Sequence, residues 1–365
     1  MRVSSLAHRW HLTQQLDSSV NRRGVVYDVG SPLGPLLNTR PTFDARITKR
    51  ELEIIRDDLH CNAVRLSGSS TPRMLATAEL ALELGLEVWL SPQMWNKPRT
   101  ATLQHVVASA AAAERLRRRF PDRIVLSVGS ESSLLMADIV PGKTIQKRVA
   151  NLFREIKAGT HDPQRLRDYL ARVTAAVRAV FGGPLTYASL TFEKVDWTLF
   201  DFVGVDHYRD NRVKDRYVSM LEPYFAVGKP MVITEVGMRG YRGAESSGAL
   251  GFGIMDLNSV MLHSLPLVGR FVRMRLQKGD HVRDEALQAR ELAETLAILD
   301  AANVDGAFVA SFDEPLSTFS DDPRFDLDMS ALSLVKTYAD RNGTVYPDMR
   351  WDPKEAFWSV ADAYA

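Results

Sequence analysis

The chain has 365 residues, of which 45% are hydrophobic and 25% are charged, and its formal net charge is +1 at pH 7. This composition is typical of a globular protein with a sizeable core, and the small net charge gives no reason to expect a nucleic-acid partner. The single cysteine, Cys61, excludes an intrachain disulfide and a zinc site made of cysteines alone. We predict that Cys61 is a buried structural thiol, because no general-base motif stands beside it.

The first twenty residues mix charged side chains with short apolar stretches and lack the continuous apolar region of a secretory signal. The longest apolar stretches of the chain are too short for a membrane span. We therefore expect a soluble, cytoplasmic protein with no transmembrane segment.

Eight short runs rich in apolar and β-branched residues alternate with sequence typical of helices. Several runs, such as Val232-Ile233, are apolar on both faces, as expected of parallel strands that are covered on both sides. We predict strands at residues 24–30, 63–68, 87–92, 124–129, 185–190, 201–208, 231–236 and 306–312.

Helix signals fill the intervals between these strands. Thr48 and Glu51 have the spacing of a capping box, which predicts a helix N-terminus at Thr48. Thr71 followed by Pro72 predicts the start of a second helix. Alanine- and leucine-rich helices are predicted at residues 103–120, 164–181 and 284–302.

Eight strands alternating with helices, without a long linker, predict an α/β protein with a single (β/α)8 TIM barrel over residues 1–365. The loops after the fourth and seventh strands are enlarged, at about residues 132–162 and 238–283. In such barrels the functional residues lie at the carboxyl ends of the strands and in the loops that follow. We expect the two enlarged loops to form a lid or wall over a pocket.

Polar and aromatic side chains gather where the predicted strands end, which predicts a small-molecule pocket at one rim of the barrel. Two glutamates, Glu131 and Glu235, each close an apolar strand and are the candidate acid, base or nucleophile. The candidate substrate-binding residues are Asp28, Arg65, Trp95, Asn96, Ser130, Glu193, His207, Tyr208, Phe312 and Asp313.

Two segments resemble a known enzyme family. Residues 201–208, ending in Asp-His-Tyr, and residues 228–237, containing Thr-Glu-Val-Gly, resemble strands six and seven of the clan A glycoside hydrolases. The resemblance implies a retaining (β/α)8 enzyme with Glu131 as acid/base and Glu235 as nucleophile. It also implies that Arg65 and Tyr208 hold the nucleophile. Residues 351–357 resemble the closing segment of these enzymes.

Two positions depart from that family pattern. Ser130 stands where the family usually has an asparagine that binds a sugar hydroxyl, and no tryptophan ends the eighth strand. Phe312 is the residue that could partly replace the missing tryptophan. These departures leave open an unusual substrate, or a reaction other than hydrolysis.

Several candidates have a structural alternative. His207 could be a hydrogen-bonded rim histidine or a proton donor, and Trp95 and Asn96 could cap the third strand or contact substrate. Carboxylates at barrel rims often hold loops, and this alternative applies to Asp28, Glu193 and Asp313.

Cofactor and partner motifs are few. The sequence has no glycine-rich phosphate loop, no HExxH and no cluster of cysteines and histidines, which predicts neither a cofactor nor a metal. The aspartates of residues 321–328 are attributed to capping and turns. The apolar segment 250–276, interrupted by Pro266 and Gly269, favours a lid or a homo-oligomer contact over a membrane-surface helix.

The leading hypothesis is a retaining glycosidase-like enzyme for a small glycoside, and the apolar insertion after strand seven favours a hydrophobic aglycone. One alternative keeps the barrel but uses the two glutamates for cyclisation, isomerisation or elimination on an apolar metabolite. A second alternative is a glycan-binding protein without catalysis.

Overall fold

The computed structural model describes residues 20–34, 36–247 and 253–365. Eight parallel strands form a closed barrel in chain order, and β1 pairs with β8 to complete the ring. This arrangement confirms the predicted (β/α)8 barrel. The barrel strands are β1 Arg22–Gly30, β2 Ala63–Gly68, β3 Glu87–Pro92, β4 Ile124–Ser130, β5 Leu185–Leu190, β6 Val203–Asp206, β7 Met231–Val236 and β8 Gly306–Val309.

Helices connect the strands and cover the outside of the barrel. A short antiparallel pair, β9 Val335–Thr337 and β10 Trp351–Pro353, precedes the C-terminal helix. In the described residues the α-helices are α1 Ala45–Asp57, α2 Thr71–Glu83, α3 Arg99–Arg119, α4 Ser132–Leu135, α5 Ile145–Ala158, α6 Gln164–Arg178, α7 Glu222–Phe225, α8 Ala244–Ser247, α9 Leu257–His263, α10 Glu285–Ala301 and α11 Glu355–Tyr364.

The inside of the barrel changes from apolar to polar along the strands. Trp89 packs against Phe308 and Phe202, with ring centroids 5.2 and 5.1 Å apart, and belongs to a buried cluster drawn from six strands. Because strand side chains alternate with period two, Ser91 lies on the same face as Trp89, two residues nearer the carboxyl end. On β2, Arg65 likewise lies on the same face as Ala63, two residues nearer the carboxyl end. An apolar plug therefore supports a polar layer at the carboxyl rim.

The predicted element boundaries are close to those of the structure, with a few corrections. Strand β6 is shorter than predicted, and β8 ends at Val309. The prediction that α1 begins at Thr48 is wrong. Asp44 is the N-cap, its side chain accepts a hydrogen bond from the Arg46 amide, and Thr48 is a buried residue inside the helix. The local capping pattern was present, but a better acceptor lies one turn earlier.

The thiol of Cys61 is buried, as predicted. Burial raises its pKa well above the usual value, which makes the reactive thiolate unfavourable.

The chain between β4 and the barrel helix α6 carries two additional helices, α4 and α5, and the chain between β7 and α10 carries α8 and α9. The second of these segments exposes Leu267 and Phe271, with 76% and 78% of their surface accessible. A homo-oligomer contact through residues 250–276 stays a prediction, and residues 248–252 lie outside the described part. The predicted absence of a signal segment concerns residues 1–20, of which 1–19 also lie outside the described part. No helix in the described ranges has the length and apolar character needed to cross a membrane.

Candidate active site

Three carboxylates meet at the carboxyl rim of the barrel. Glu131 follows β4, Asp206 ends β6, and Glu235 lies near the end of β7. One oxygen of each residue lies within 4.8 Å of the other two. Asp206 and Glu235 are direct partners in the β6–β7 register, which explains why residues from two strands come so close. The two predicted catalytic glutamates thus share one site.

Glu235 is held by an arginine and a tyrosine. Arg65 Nη1 lies 2.5 Å from Glu235 Oε1, and the Tyr208 hydroxyl donates to Glu235 Oε2 at 2.7 Å. Arg65 is fully buried, and its Nη2 donates to Ser91 Oγ at 3.1 Å. A buried guanidinium needs such a partner, because an unpaired buried charge is costly. Both oxygens of Glu235 are therefore oriented, and its charge is balanced.

Glu131 is presented by an unusual backbone conformation. Its φ of 43° and ψ of 40° lie in the left-handed region, which a residue with a Cβ adopts only when its surroundings hold it there. The Glu131 amide donates to the Ala188 carbonyl at 2.9 Å. The next two amides are also held, because Ser132 N donates to the Tyr187 hydroxyl and Ser133 N donates to Glu193 Oε1.

Glu193 supports this turn and does not line the pocket beside it. Its carboxylate is buried and accepts hydrogen bonds from the Tyr187 hydroxyl at 2.9 Å and from the amides of Ser133 and Leu190, both at 3.0 Å. These bonds join the end of β5 to the turn that carries Glu131. The structure favours the loop-holding alternative for Glu193 over contact with a substrate.

Asp206 was missed as a site residue by the sequence analysis. It is 3% exposed, accepts a hydrogen bond from Thr234 Oγ1 at 2.6 Å, and accepts a longer one from Ser130 Oγ at 3.3 Å. The signal that identified Glu235, an acid closing an apolar strand, also exists for Asp206.

Burial and mutual repulsion change the proton affinities of this cluster. Desolvation raises the pKa of Glu131 well above its usual value, and the charges of Asp206 and Glu235 raise it further. Desolvation, with the charge of Glu235, also raises the pKa of Asp206 to about 8, while Arg65 opposes both effects. A site with three carboxyls and one arginine therefore retains protons near neutral pH.

Three carboxylates at this separation are a set that could hold a divalent cation. The Arg65 guanidinium already lies against a Glu235 oxygen, so a cation bound there would meet a positive charge at close range. Carboxyl groups that retain protons therefore fit this cluster better than a bound metal ion does.

A pocket of about 520 Å³ opens beside the cluster. Glu131, Asp206 and Tyr208 line one end of it. The rest of the lining is mainly apolar and comes from α4, α5 and the segments after β5 and β6, including Leu134, Ile145, Val149, Phe153, Phe192 and Met220. We call this apolar part of the pocket the apolar groove. Apart from Trp95 and His207, the residues of the groove were not predicted from the sequence.

Two further predicted rim residues, Trp95 and His207, line the pocket together with Glu131 and Tyr208. Trp95 is half-buried, and its indole Nε1 donates to Gln93 Oε1 at 3.0 Å. His207 is buried, stacks on Tyr217 with ring centroids 4.0 Å apart, and its Nε2 lies 2.9 Å from the Tyr217 carbonyl oxygen. Burial lowers the pKa of His207 to about 4. His207 is therefore a neutral, hydrogen-bonded rim histidine at physiological pH, and proton donation is not favoured.

Asn96 lies outside the pocket lining and connects two loops. Its side-chain oxygen accepts a hydrogen bond from Arg148 Nη2 at 2.5 Å, and its amide donates to the Leu135 carbonyl at 2.8 Å. These contacts attach the segment after β3 to α4 and α5. Asn96 thus fits the structural alternative.

Three other candidates lie at the β1 and β8 side, away from the pocket lining. Asp28 accepts from the Gly30 amide at 3.0 Å, and Asp313 accepts from Arg40 Nη2 at 2.5 Å. Phe312 is fully buried between Tyr27 and Trp351, with ring centroids 6.2 and 5.4 Å away. A side chain with no accessible surface cannot act as a sugar floor, so Phe312 does not replace the missing tryptophan.

No protein-family model matches the sequence, and no curated protein matches it. Many solved structures do match. A GH113 β-1,4-mannanase aligns with 94% of this chain and 98% of its own, at 13% identity and a TM-score of 0.55. The GH113 β-mannanase of Alicyclobacillus acidocaldarius aligns over 94% and 97%, at 16% identity and a TM-score of 0.54. The β-glucuronidase of Parabacteroides merdae aligns over 94% of this chain and 37% of its own, at 12% identity and a TM-score of 0.57.

At these identities the likeness concerns the fold. These glycoside hydrolases share the (β/α)8 barrel of this chain, and the fold implied by the strand-six and strand-seven motifs is confirmed. What the chain catalyses has to be argued from its own residues.

Proposed function

We propose that this protein is a retaining glycoside hydrolase that acts on a small glycoside. The Glu235 carboxylate attacks the anomeric carbon as the bond from that carbon to the leaving oxygen breaks. Glu131 transfers its proton to that oxygen. In the second step Glu131 removes a proton from water, and the water oxygen displaces Glu235 from the anomeric carbon. Both glutamates then return to their starting protonation states.

The observation that carries this proposal is the separation of the two glutamates. One carboxylate oxygen of Glu131 lies within 4.8 Å of one of Glu235, which fits adjacent carboxyl groups with no water molecule between them. Retaining enzymes place their two carboxyl groups about 5 to 5.5 Å apart, whereas inverting enzymes need about 6.5 to 9.5 Å to admit a water molecule. The shorter separation favours direct attack by a carboxylate.

The different surroundings of the two glutamates support their different roles. Arg65 and Tyr208 both donate to Glu235 and hold its carboxylate in one orientation, as a nucleophile requires. Glu131 has no comparable cationic partner within hydrogen-bonding distance in the described residues, and burial raises its pKa. A carboxylate held by two donors suits a nucleophile, and a buried acid with a raised pKa suits a proton donor.

The solved structures of similar fold are β-mannanases and a β-glucuronidase by name. They raise the expectation of glycoside hydrolysis for this chain without identifying its sugar. The predicted cytoplasmic location and the oligomer contact stay predictions.

Covalent labelling tests the proposal. The protein is incubated with a panel of 2-deoxy-2-fluoro glycosyl fluorides and digested, and the labelled peptide is identified by mass spectrometry. We expect an ester on Glu235, no label in Glu235→Gln, and a loss of turnover in that variant of at least about a thousandfold.

Glu314→Gln is the matched control. Glu314 is another glutamate after a barrel strand, but its oxygens accept from the Leu332 amide and Ser317 Oγ, and it does not line the pocket. This variant should label like the wild type. Glycoside turnover within a few-fold of wild type in Glu235→Gln would remove Glu235 from the nucleophile role.

The apolar lining of the pocket favours one second candidate, an acid/base cyclisation, isomerisation or elimination on an apolar metabolite. In that case Glu131 and Asp206 would exchange protons with the substrate, and no covalent sugar ester would form. Silence of all fluorosugars, together with turnover of an apolar metabolite that is lost in Glu131→Gln, would establish this candidate instead.

A further inference from the structure

The apolar groove lies on one side of the catalytic pair. Glu131 and Asp206 border it, whereas Glu235 is not among its lining residues. In a retaining reaction the acid/base residue contacts the leaving oxygen, so the leaving group extends past that residue. If Glu131 has that role, the groove is where the leaving group of the substrate lies.

Helix α5 forms a fixed wall of this groove. Ile145, Val149 and Phe153 repeat at intervals of four and therefore share one face of the helix. All three line the groove, and Phe153 is 43% exposed. Its ring lies 6.3 Å from that of Phe192. An exposed apolar surface of this kind beside a polar catalytic cluster is typical of a binding site for an apolar group.

Two buried residues on the adjoining face anchor the same helix. Leu152 and Arg148 are fully buried. Arg148 donates to the carbonyl oxygens of Leu134 and Gly142, at 2.5 and 3.0 Å, in addition to Asn96. This guanidinium ties α4, α5 and the loop between them into one unit. The apolar wall is thus held in place before any ligand binds, which lowers the entropic cost of binding.

Beside the catalytic cluster and Tyr208, the polar side chains of the lining are those of Thr191, His207, Asp210, Arg212 and Arg216, and none of them lies on α5. Asp210 and Arg212 pair with each other at 2.5 Å, and Arg212 is exposed. A second sugar would require several convergent donors and acceptors along α5, and the side chains of Ile145, Val149 and Phe153 offer none. The lining matches an alkyl chain or an aromatic ring better than a carbohydrate.

We propose that the apolar groove is the aglycone site and that the natural substrate carries a hydrophobic alcohol or phenol on the anomeric oxygen. This inference rests on the proposed hydrolysis. It assigns the aglycone contact to α5 and the segments after β5 and β6. The sequence analysis had instead attributed it to the insertion after β7.

The test compares leaving groups on the sugar that the labelling panel identifies. Methyl and n-octyl glycosides of that sugar are assayed with the wild type, with Val149→Asn, and with Ile156→Asn as the matched control. Ile156 lies on α5, is 40% exposed and does not line the groove. We expect kcat/KM of the wild type to rise about fourfold for each methylene that the groove buries.

Val149→Asn should lower kcat/KM for the octyl glycoside at least tenfold more than kcat/KM for the methyl glycoside. Ile156→Asn should change neither. Equal rates for the two glycosides in the wild type, or an equal loss for both in Val149→Asn, would overturn the aglycone assignment while the proposed hydrolysis stands. If no glycoside is turned over and no fluorosugar labels Glu235, the hydrolysis and the aglycone assignment both fail.

Discussion

Replacing Asp206 by asparagine should stabilise the protein in alkaline solution and leave its stability unchanged in acid. The carboxyl of Asp206 is 3% exposed, and burial with the charge of Glu235 raises its pKa from 3.8 to about 8. The native state therefore keeps this proton over a range of pH in which the unfolded chain has released it. Since the native state binds more protons there, the free energy of unfolding of the wild type falls as pH rises from about 4 to about 8.

The size of the effect follows from that pKa. At about 1.4 kcal/mol per pKa unit, the full change would correspond to roughly 6 kcal/mol above pH 8. Relaxation and entry of water reduce such penalties in real proteins, so we expect Asp206→Asn to gain about 2 to 4 kcal/mol at pH 9. The amide keeps an oxygen that can accept from Thr234, so the contact that holds the side chain is preserved.

Urea unfolding followed by tryptophan fluorescence measures the difference between variant and wild type at pH 4 and at pH 9. Asp352→Asn is the control with the opposite sign. Although burial raises its pKa, the amides of Val345 and Thr344 hold the pKa of Asp352 below its usual value. That variant should be less stable than the wild type by about the same amount at pH 9 and pH 4, and the difference should shrink only below about pH 4, as pH falls through the lowered pKa. If Asp206→Asn differs from the wild type equally at pH 4 and pH 9, the native carboxyl is ionised and the reasoning is refuted.

Three further predictions concern the same barrel. Asp206→Asn removes a carboxyl that becomes negative beside Glu131 as pH approaches about 8, so the alkaline fall of kcat/KM should move to lower pH, and an unmoved profile would contradict the coupling. Gly204→Ala would place a Cβ 2.5 Å from a backbone carbonyl of β5 and should cost about 1 to 3 kcal/mol in urea unfolding, which wild-type stability would disprove. Lys354→Met breaks a fully buried ion pair with Asp328, 3.0 Å long, and should cost about 3 to 5 kcal/mol, whereas a loss below 1 kcal/mol would show that Arg283 alone balances the aspartate.

The sequence by itself determined the architecture. Strands buried on both faces must be apolar along their length, and this requirement leaves runs such as 231–236 that can be recognised without a structure. The order of strand and helix then leaves few topologies, because parallel strands need right-handed crossovers. The N-termini of helices were predicted less accurately. Thr48 has a capping pattern, but the nearby Asp44 is the residue that caps α1.

The sequence also determined the centre of the site. The carboxyl ends of all eight strands meet at one rim, so Arg65, Glu131, Tyr208 and Glu235 were expected to converge, and they do. Residues at the ends of strands are placed by the barrel itself. Their approach follows from the topology and needs no knowledge of the loops.

Only the tertiary structure decided which polar groups of the rim turn toward the pocket. Glu193 and Asp313 also follow strands, but the loops beside them offer amides and the Arg40 guanidinium, and these partners draw the carboxylates away. The apolar groove has the same origin. Val149 and Phe192 are distant in sequence, and they line one cavity only because the buried Arg148 fixes α5 against the barrel rim. A loop's direction depends on contacts made after the barrel closes, and no local pattern contains that information.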